Sequence, residues 1–252
     1  MRGGAFKSFL ATLFALAGVH RAAAGDWLST VSPEVPVFKY EAWGGAEATS
    51  HSRSFYGGMT TAISGDVRTD GFRLRSAAGY GTYSYTSPRW DGRQRTPVHF
   101  EGVQSFNDVM LGYHHAIGPW IVKFYAGWTQ DSHLLAPFDT ENSVQGKKSG
   151  VKAALETWLN IADKAFIQSE TSWTEVFDTY GGRVRLGYRI NPAVSMGLEG
   201  AANGNAVYDS GRAGSFARFE WSHGEISASG GVAGDRASVQ GGYGSVGLLF
   251  RF

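Results

Sequence analysis

The side chains able to do chemistry come first. Gly242-Tyr243-Gly244-Ser245-Val246-Gly247 fits the pattern G-x-G-x-x-G, which cradles a pyrophosphate where a strand gives way to a helix. Here the chain ends five residues later, on a segment that alternates apolar and small residues. No helix can follow, so the match is a by-product of a chain holding 35 glycines. The histidines past residue 24 are His51, His99, His114, His115, His133 and His223, and none has a metal-ligand spacing such as H-E-x-x-H. His114 and His115 are adjacent, so on a strand they point to opposite faces and read as interface residues. With no cysteine, the chain has neither a disulfide frame nor a thiolate metal site.

One group remains suggestive. Small barrel enzymes that acylate or deacylate lipid use a hydroxyl activated by a histidine that a third polar group holds. Asp131, Ser132 and His133 supply the residue types, but nothing in their spacing fixes a geometry. No catalytic residue, cofactor-binding residue, cofactor or metal ligand is assigned.

The elements that would position any such group are strands. The last nine residues, GSVGLLFRF, place Val246, Leu248, Phe250 and Phe252 on one parity and Ser245, Gly247 and Arg251 on the other. A strand with one face toward lipid and one toward a polar interior must alternate in this way. The same alternation recurs through the chain. Trp120, Val122, Phe124, Ala126 and Trp128 share a face against Lys123, Tyr125, Gly127 and Thr129. Eight residues on a strand tilted by about 40° climb roughly 20 Å, close to the separation of the aromatic girdles that flank an apolar band of about 25 Å. Trp120, Trp128, Tyr188 and Trp221 are therefore expected at the membrane interface.

Twelve strands are counted, with ten as the alternative, and the fold class is an all-β, closed antiparallel transmembrane barrel. Tight connections are expected at Ile117, Ala162, Asn191 and His223, and longer ones at 87–97, 134–148, 202–211 and near Phe177. Short periplasmic turns against longer external loops are the usual asymmetry of such barrels, and an even strand count returns both termini to the periplasm. The segment from Ala165 to Val176 is the least regular, because Gln168 to Ser172 are polar on both parities.

The inward parity is rich in charge of both signs: Lys39, Glu41, Arg73, Arg75, Asp108, Lys123, Lys152, Glu156, Arg183, Arg185, Arg189, Glu199, Arg218, Glu220 and Arg251. Together with Trp158, the residues Arg73, Arg75, Glu156, Arg183, Arg185, Arg218 and Glu220 are the lumen-facing candidates. Two readings stand side by side. Mutually paired charges fill the lumen, or they line a narrow polar passage, since twelve strands lie between filled eight-stranded barrels and open sixteen-stranded porins. Trp43, Trp158, Tyr56, Tyr83 and Tyr125 are suited either to stack on sugar rings or to plug the lumen.

The ends carry addresses. Arg2 and Lys7, the apolar core Phe9 to Val19, and Ala22-Ala23-Ala24 before Gly25 form a signal-peptide pattern over residues 1–24. A periplasmic lead over 25–36 and a barrel over 37–252 follow. Removing 1–24 leaves 20 basic against 22 acidic residues, so the chain is near neutral and has no basic patch for nucleic acid.

The chain resembles the cellulose biosynthesis protein BcsS family of alphaproteobacteria. The likeness rests on Phe55-Tyr56-Gly57-Gly58, on Asp70-Gly71-Phe72-Arg73-Leu74-Arg75, on the run Gly79 to Tyr85, and on Phe124-Tyr125-Ala126-Gly127 before Gln130-Asp131, and it covers most of 37–252. It implies a non-enzymatic outer-membrane accessory of cellulose production, export or surface anchoring, with no catalytic set to carry over. The implied partners are outer-membrane lipid, the barrel assembly machinery reading the terminal Phe252, and cellulose or components of the cellulose synthase complex.

Overall fold

Because successive side chains leave a strand on opposite sides, a sheet of alternating strands has one apolar and one polar surface, and closing it on itself hides the polar one. The computed structural model describes residues 37–235 and 238–252. The signal-peptide and lead segments, 1–24 and 25–36, lie outside the described residues. The strands are β1 (Tyr40–Thr49), β2 (Ser52–Ala62), β3 (Gly71–Trp90), β4 (Arg95–Ile117), β5 (Trp120–Ala136), β6 (Gly146–Asn160), β7 (Ala165–Thr174), β8 (Thr179–Arg189), β9 (Val194–Gly204), β10 (Asp209–Trp221), β11 (Gly224–Asp235) and β12 (Val239–Arg251). Each pairs antiparallel with its sequence neighbours, and β1 pairs with β12 to close the barrel. The count of twelve and the closed antiparallel architecture are those expected from the alternation.

Phe55, Phe72, Leu74, Val109, Leu111, Phe124, Leu186, Leu198, Phe219, Val246 and Phe250 all stand exposed on the outside. Arg73, Asp108, Tyr125, Thr129, Phe166, Glu199 and Arg218 are buried inside. In a soluble protein an apolar exterior this extensive would be an aggregation hazard, whereas in lipid it is the required surface. The seam is sealed by two backbone bonds between Tyr40 and Phe252, at 2.8 and 2.9 Å, and their rings stack 5.6 Å apart.

The structure corrects the expected loop asymmetry. Residues 87–97 are not a long loop: β3 and β4 stay paired through Pro88↔Pro97 and Trp90↔Arg95, and only 91–94 turn. Because proline has no N–H, that rung is a non-hydrogen-bonded one, and the missing donors fall on the two open edges of the ribbon. Beyond Tyr83, β3 has lost β2 as a ladder partner, and before Glu101, β4 has lost β5. The asymmetry therefore resides in this two-stranded overhang. Elsewhere the connections are short at both ends, 205–208 replacing the expected loop over 202–211, and the longest ones, 63–70 and 137–145, lie at opposite ends.

Two further assignments change. The barrel read from residue 37 onward starts its first strand later. β1 begins at Tyr40, and Phe38 turns into the barrel mouth, 3% exposed beside Ala62 and Val67. Lys39, expected inward, precedes β1 and is exposed.

Candidate functional site

Among the described residues, the polar interior is where the strands bring many reactive groups together. Ladder register decides which of them meet. Glu170 on β7 stands opposite Arg183 on β8, and the guanidinium reaches both carboxylate oxygens at 2.8 Å. Arg185 stands opposite Glu199 on β9 and donates to it at 2.7 Å. Thr129 on β5 donates to its ladder partner Asp108 on β4, and Lys152 on β6 reaches across β5 to bind the same carboxylate at 2.5 Å. Arg251 on β12 meets Glu41 on β1 at 3.1 Å, closing the charge pattern across the seam.

Other pairs cross intervening strands. Arg75 on β3 bonds Glu156 on β6, which Lys123 also approaches at 3.6 Å. Arg212 on β10 reaches past β11 and β12 to Glu47 on β1. On the way its guanidinium lies 5.2 Å from the Tyr243 ring of β12. Glu199 gathers Arg185, Ser229 and Tyr243 around one carboxylate. Removing such charges from bulk water is costly, and pairing each with an opposite charge and further hydrogen bonds offsets the cost.

Aromatic rings fill part of the volume. Trp158 stacks on Phe166 at 4.2 Å, with the Arg218 guanidinium 5.0 Å from the Trp158 ring and that of Arg189 5.0 Å from Phe166. Tyr125 is 1% exposed and lies 5.0 Å from the Arg75 guanidinium. Trp158 and Tyr125 are thus packed into the wall. Trp43 and Tyr56, 6.3 Å apart, are only half-buried.

Both mouths are partly covered. At the end carrying Val37 and Phe252, connection 63–70 folds inward: the Phe38 N–H donates to Asp66 at 3.0 Å and the Val67 N–H to the Phe38 carbonyl at 2.8 Å. Arg73 turns from the lumen to bond the carbonyls of Asp66, Thr69 and Phe72. His114, read as an interface residue, is instead buried with Nδ1 3.2 Å from the Val67 carbonyl. Burial pulls the Asp66 carboxyl upward, but the Arg68 side chain and the N–H groups of Phe38 and Arg68 outweigh it and hold the group below its ordinary range. At the far end, connection 137–145 is held by Asp139. This carboxylate accepts Arg89 Nε at 2.7 Å and the Tyr85 hydroxyl at 2.7 Å, and the Arg89 bond holds it below its ordinary range.

Among the remaining sequence candidates, Glu220 faces inward and is half-buried. Outside the barrel, Trp128 and Tyr188 are exposed, Trp120 is half-exposed, and Trp221 packs edge-on against Phe250 at 5.6 Å. The structure does not bring Ser132 to His133. They are neighbours on β5 and point to opposite faces, while His133 Nδ1 pairs with the Tyr83 hydroxyl at 3.1 Å.

The sequence reading missed Glu47, Glu170, Arg212 and Asp139. Glu47 was within reach by extending the parity of Glu41, Trp43 and Gly45 by two residues, and Glu170 shares a parity with Phe166 and Gln168. Arg212 adjoins the segment read as a loop, and Asp139 lies outside any periodic segment.

A closed barrel, apolar outside and charge-paired inside, is a transmembrane β-barrel. Within that class the chain belongs to the cellulose biosynthesis protein BcsS family, whose profile matches residues 42–252. No curated protein matches the chain. Among solved structures it is similar to the KdgM porin (TM-score 0.50, 12% identity, 84% of this chain and 99% of that one). It is also similar to an outer membrane channel from Pseudomonas putida F1 (TM-score 0.49, 11% identity, 86% and 96% covered) and to the transport unit of the autotransporter AIDA-I from Escherichia coli (TM-score 0.48, 10% identity, 91% and 95% covered). At these identities the likeness is one of fold.

Proposed function

We propose that this protein is a non-enzymatic outer-membrane accessory of bacterial cellulose production that assists export or surface anchoring of the glucan. The observation that carries this reading is the family match over 42–252, which spans the barrel from β1 to the terminal strand. The protein's means of acting on cellulose is therefore sought in the barrel and its connections. On this reading the chain matures near Gly25, both termini face the periplasm, the assembly machinery reads Phe252, and the β3–β4 overhang stands on the external side beside the emerging polymer.

The test uses cells lacking the gene, with total and cell-attached cellulose measured by dye binding and a lipid A mass spectrum of the same cells. Altered amount, attachment or texture of cellulose with an unchanged lipid spectrum supports the role. Unchanged cellulose on every count defeats it, and a changed acylation pattern transfers the case to lipid chemistry despite the separation of Ser132 from His133.

A further inference from the structure

The paired charges of the interior are not equally dry. The Arg185 and Glu199 side chains are 4% and 0% exposed. Glu170 is 37% exposed and its partner Arg183 23%, Glu47 is 23%, Glu156 26% and Lys123 25%. Lys123 and Glu156, Glu170 and Arg183, and Arg185 and Glu199 stand opposite each other on the inward parity of their ladders, and Glu47, whose ladder partners are Ser54 and Ser245, shares the inward parity of Glu41. The surface they leave exposed therefore faces the inside of the barrel.

The wet residues are contiguous. At the terminal mouth stand Glu41 and Arg251 with Lys123 and Glu156; at mid-height stand Glu47, Tyr56, Glu170 and Arg183. On β7, β8 and β9 the inward positions towards the far mouth are small or neutral: Ser172 and its partner Gly181, then Ala201 and the exposed Asn203. The filled portion lies elsewhere, where Met110, Tyr125 and Thr129 of β4 and β5, and Phe166 and Phe216 of β7 and β10, are nearly fully buried.

We infer that the barrel holds an off-centre, water-filled slot running past Glu47, Glu170 and Arg183, and that it conducts small hydrated inorganic ions. This does not depend on the cellulose reading. A low-dielectric wall magnifies any unbalanced charge in a confined aqueous path. Because acids and bases alternate along the slot, the native path is close to balanced and discriminates weakly between cations and anions. Removing one member of the Glu170–Arg183 pair leaves the other to set the local potential. The two removals must then act in opposite directions.

The experiment is conductance of the purified full-length barrel in planar lipid bilayers under a potassium chloride gradient. Discrete conductance with a permeability ratio near unity is expected for the native chain. Glu170→Gln should shift the ratio several-fold towards chloride, and Arg183→Gln several-fold towards potassium. Since the native sequence has no cysteine, Ser172→Cys offers a small-for-small probe that keeps the barrel intact. A charged, membrane-impermeant thiosulfonate should modify it and alter the current. Electrical silence of the native barrel, shifts of the same sign in both charge variants, or a current unaffected by the reagent at position 172 would each overturn the proposal.

Discussion

The ring of Phe166 lies across Gly187, its cross-strand partner, so closely that a Cβ on the glycine would stand 2.2 Å from the ring's Cζ. Trp158 covers Phe166 by stacking, so the ring has no free side to move towards. Tyr125 lies over Gly112 and Phe106 over Gly79 in the same way. Several of the chain's glycines thus make room for luminal aromatics, and the aromatic in turn covers backbone that glycine leaves bare. Gly187→Ala should cost about 1–3 kcal/mol through overpacking, read from urea unfolding of the barrel in lipid vesicles. A variant as stable as the parent would show that Phe166 is free to move.

Burial should rank the ion pairs. Glu199→Gln leaves the dry Arg185 uncompensated and should cost about 3 kcal/mol, the range for removing one partner of a buried pair. Glu170→Gln leaves Arg183 in contact with water and should cost about 1 kcal/mol or less. The same unfolding measurement gives both values. Equal losses would mean that the interior is uniformly dry or uniformly wet.

Connection 137–145 should be latched by pH. Arg89 and Tyr85 hold the folded Asp139 carboxyl below its ordinary value of 3.8. For a depressed acid, the stabilisation is present above the unfolded value and is lost as pH falls through the folded one. The connection should stay closed at neutral pH and open only below about pH 4. Asp139→Asn should loosen it at every pH. Hydrogen exchange of the connection's amides, corrected for the intrinsic pH dependence of exchange, checks both, and protection of the native connection at pH 3 equal to that at pH 7 would contradict the latch.

Removal of Phe252 should lower the yield of assembled barrel by several-fold, and Phe252→Ala by less. Deletion takes away both seam hydrogen bonds with Tyr40 as well as the stacked ring, whereas the alanine variant keeps the backbone pair. Heat-modifiable migration of the protein extracted from membranes measures the folded fraction. Equal defects in the two variants would assign the whole effect to the ring rather than to the two backbone bonds of the seam.

Period-two alternation of apolar residues, from Phe55–Met59 through Trp120–Trp128 to Val246–Phe252, already marks the chain as an all-β transmembrane barrel, of twelve strands or ten, and closure in the structure settles the count at twelve. Lipid outside and polar groups inside impose that pattern residue by residue, so it is written locally. Tertiary structure alone decided the rest. Residues 87–97 carry no alternation because the β3–β4 overhang lacks strand partners on both sides, so no apolar face is required of it. Arg75 finds Glu156, and Arg212 finds Glu47, only once register and closure set them across the lumen. A shift of one residue would turn each of those charges to the outside.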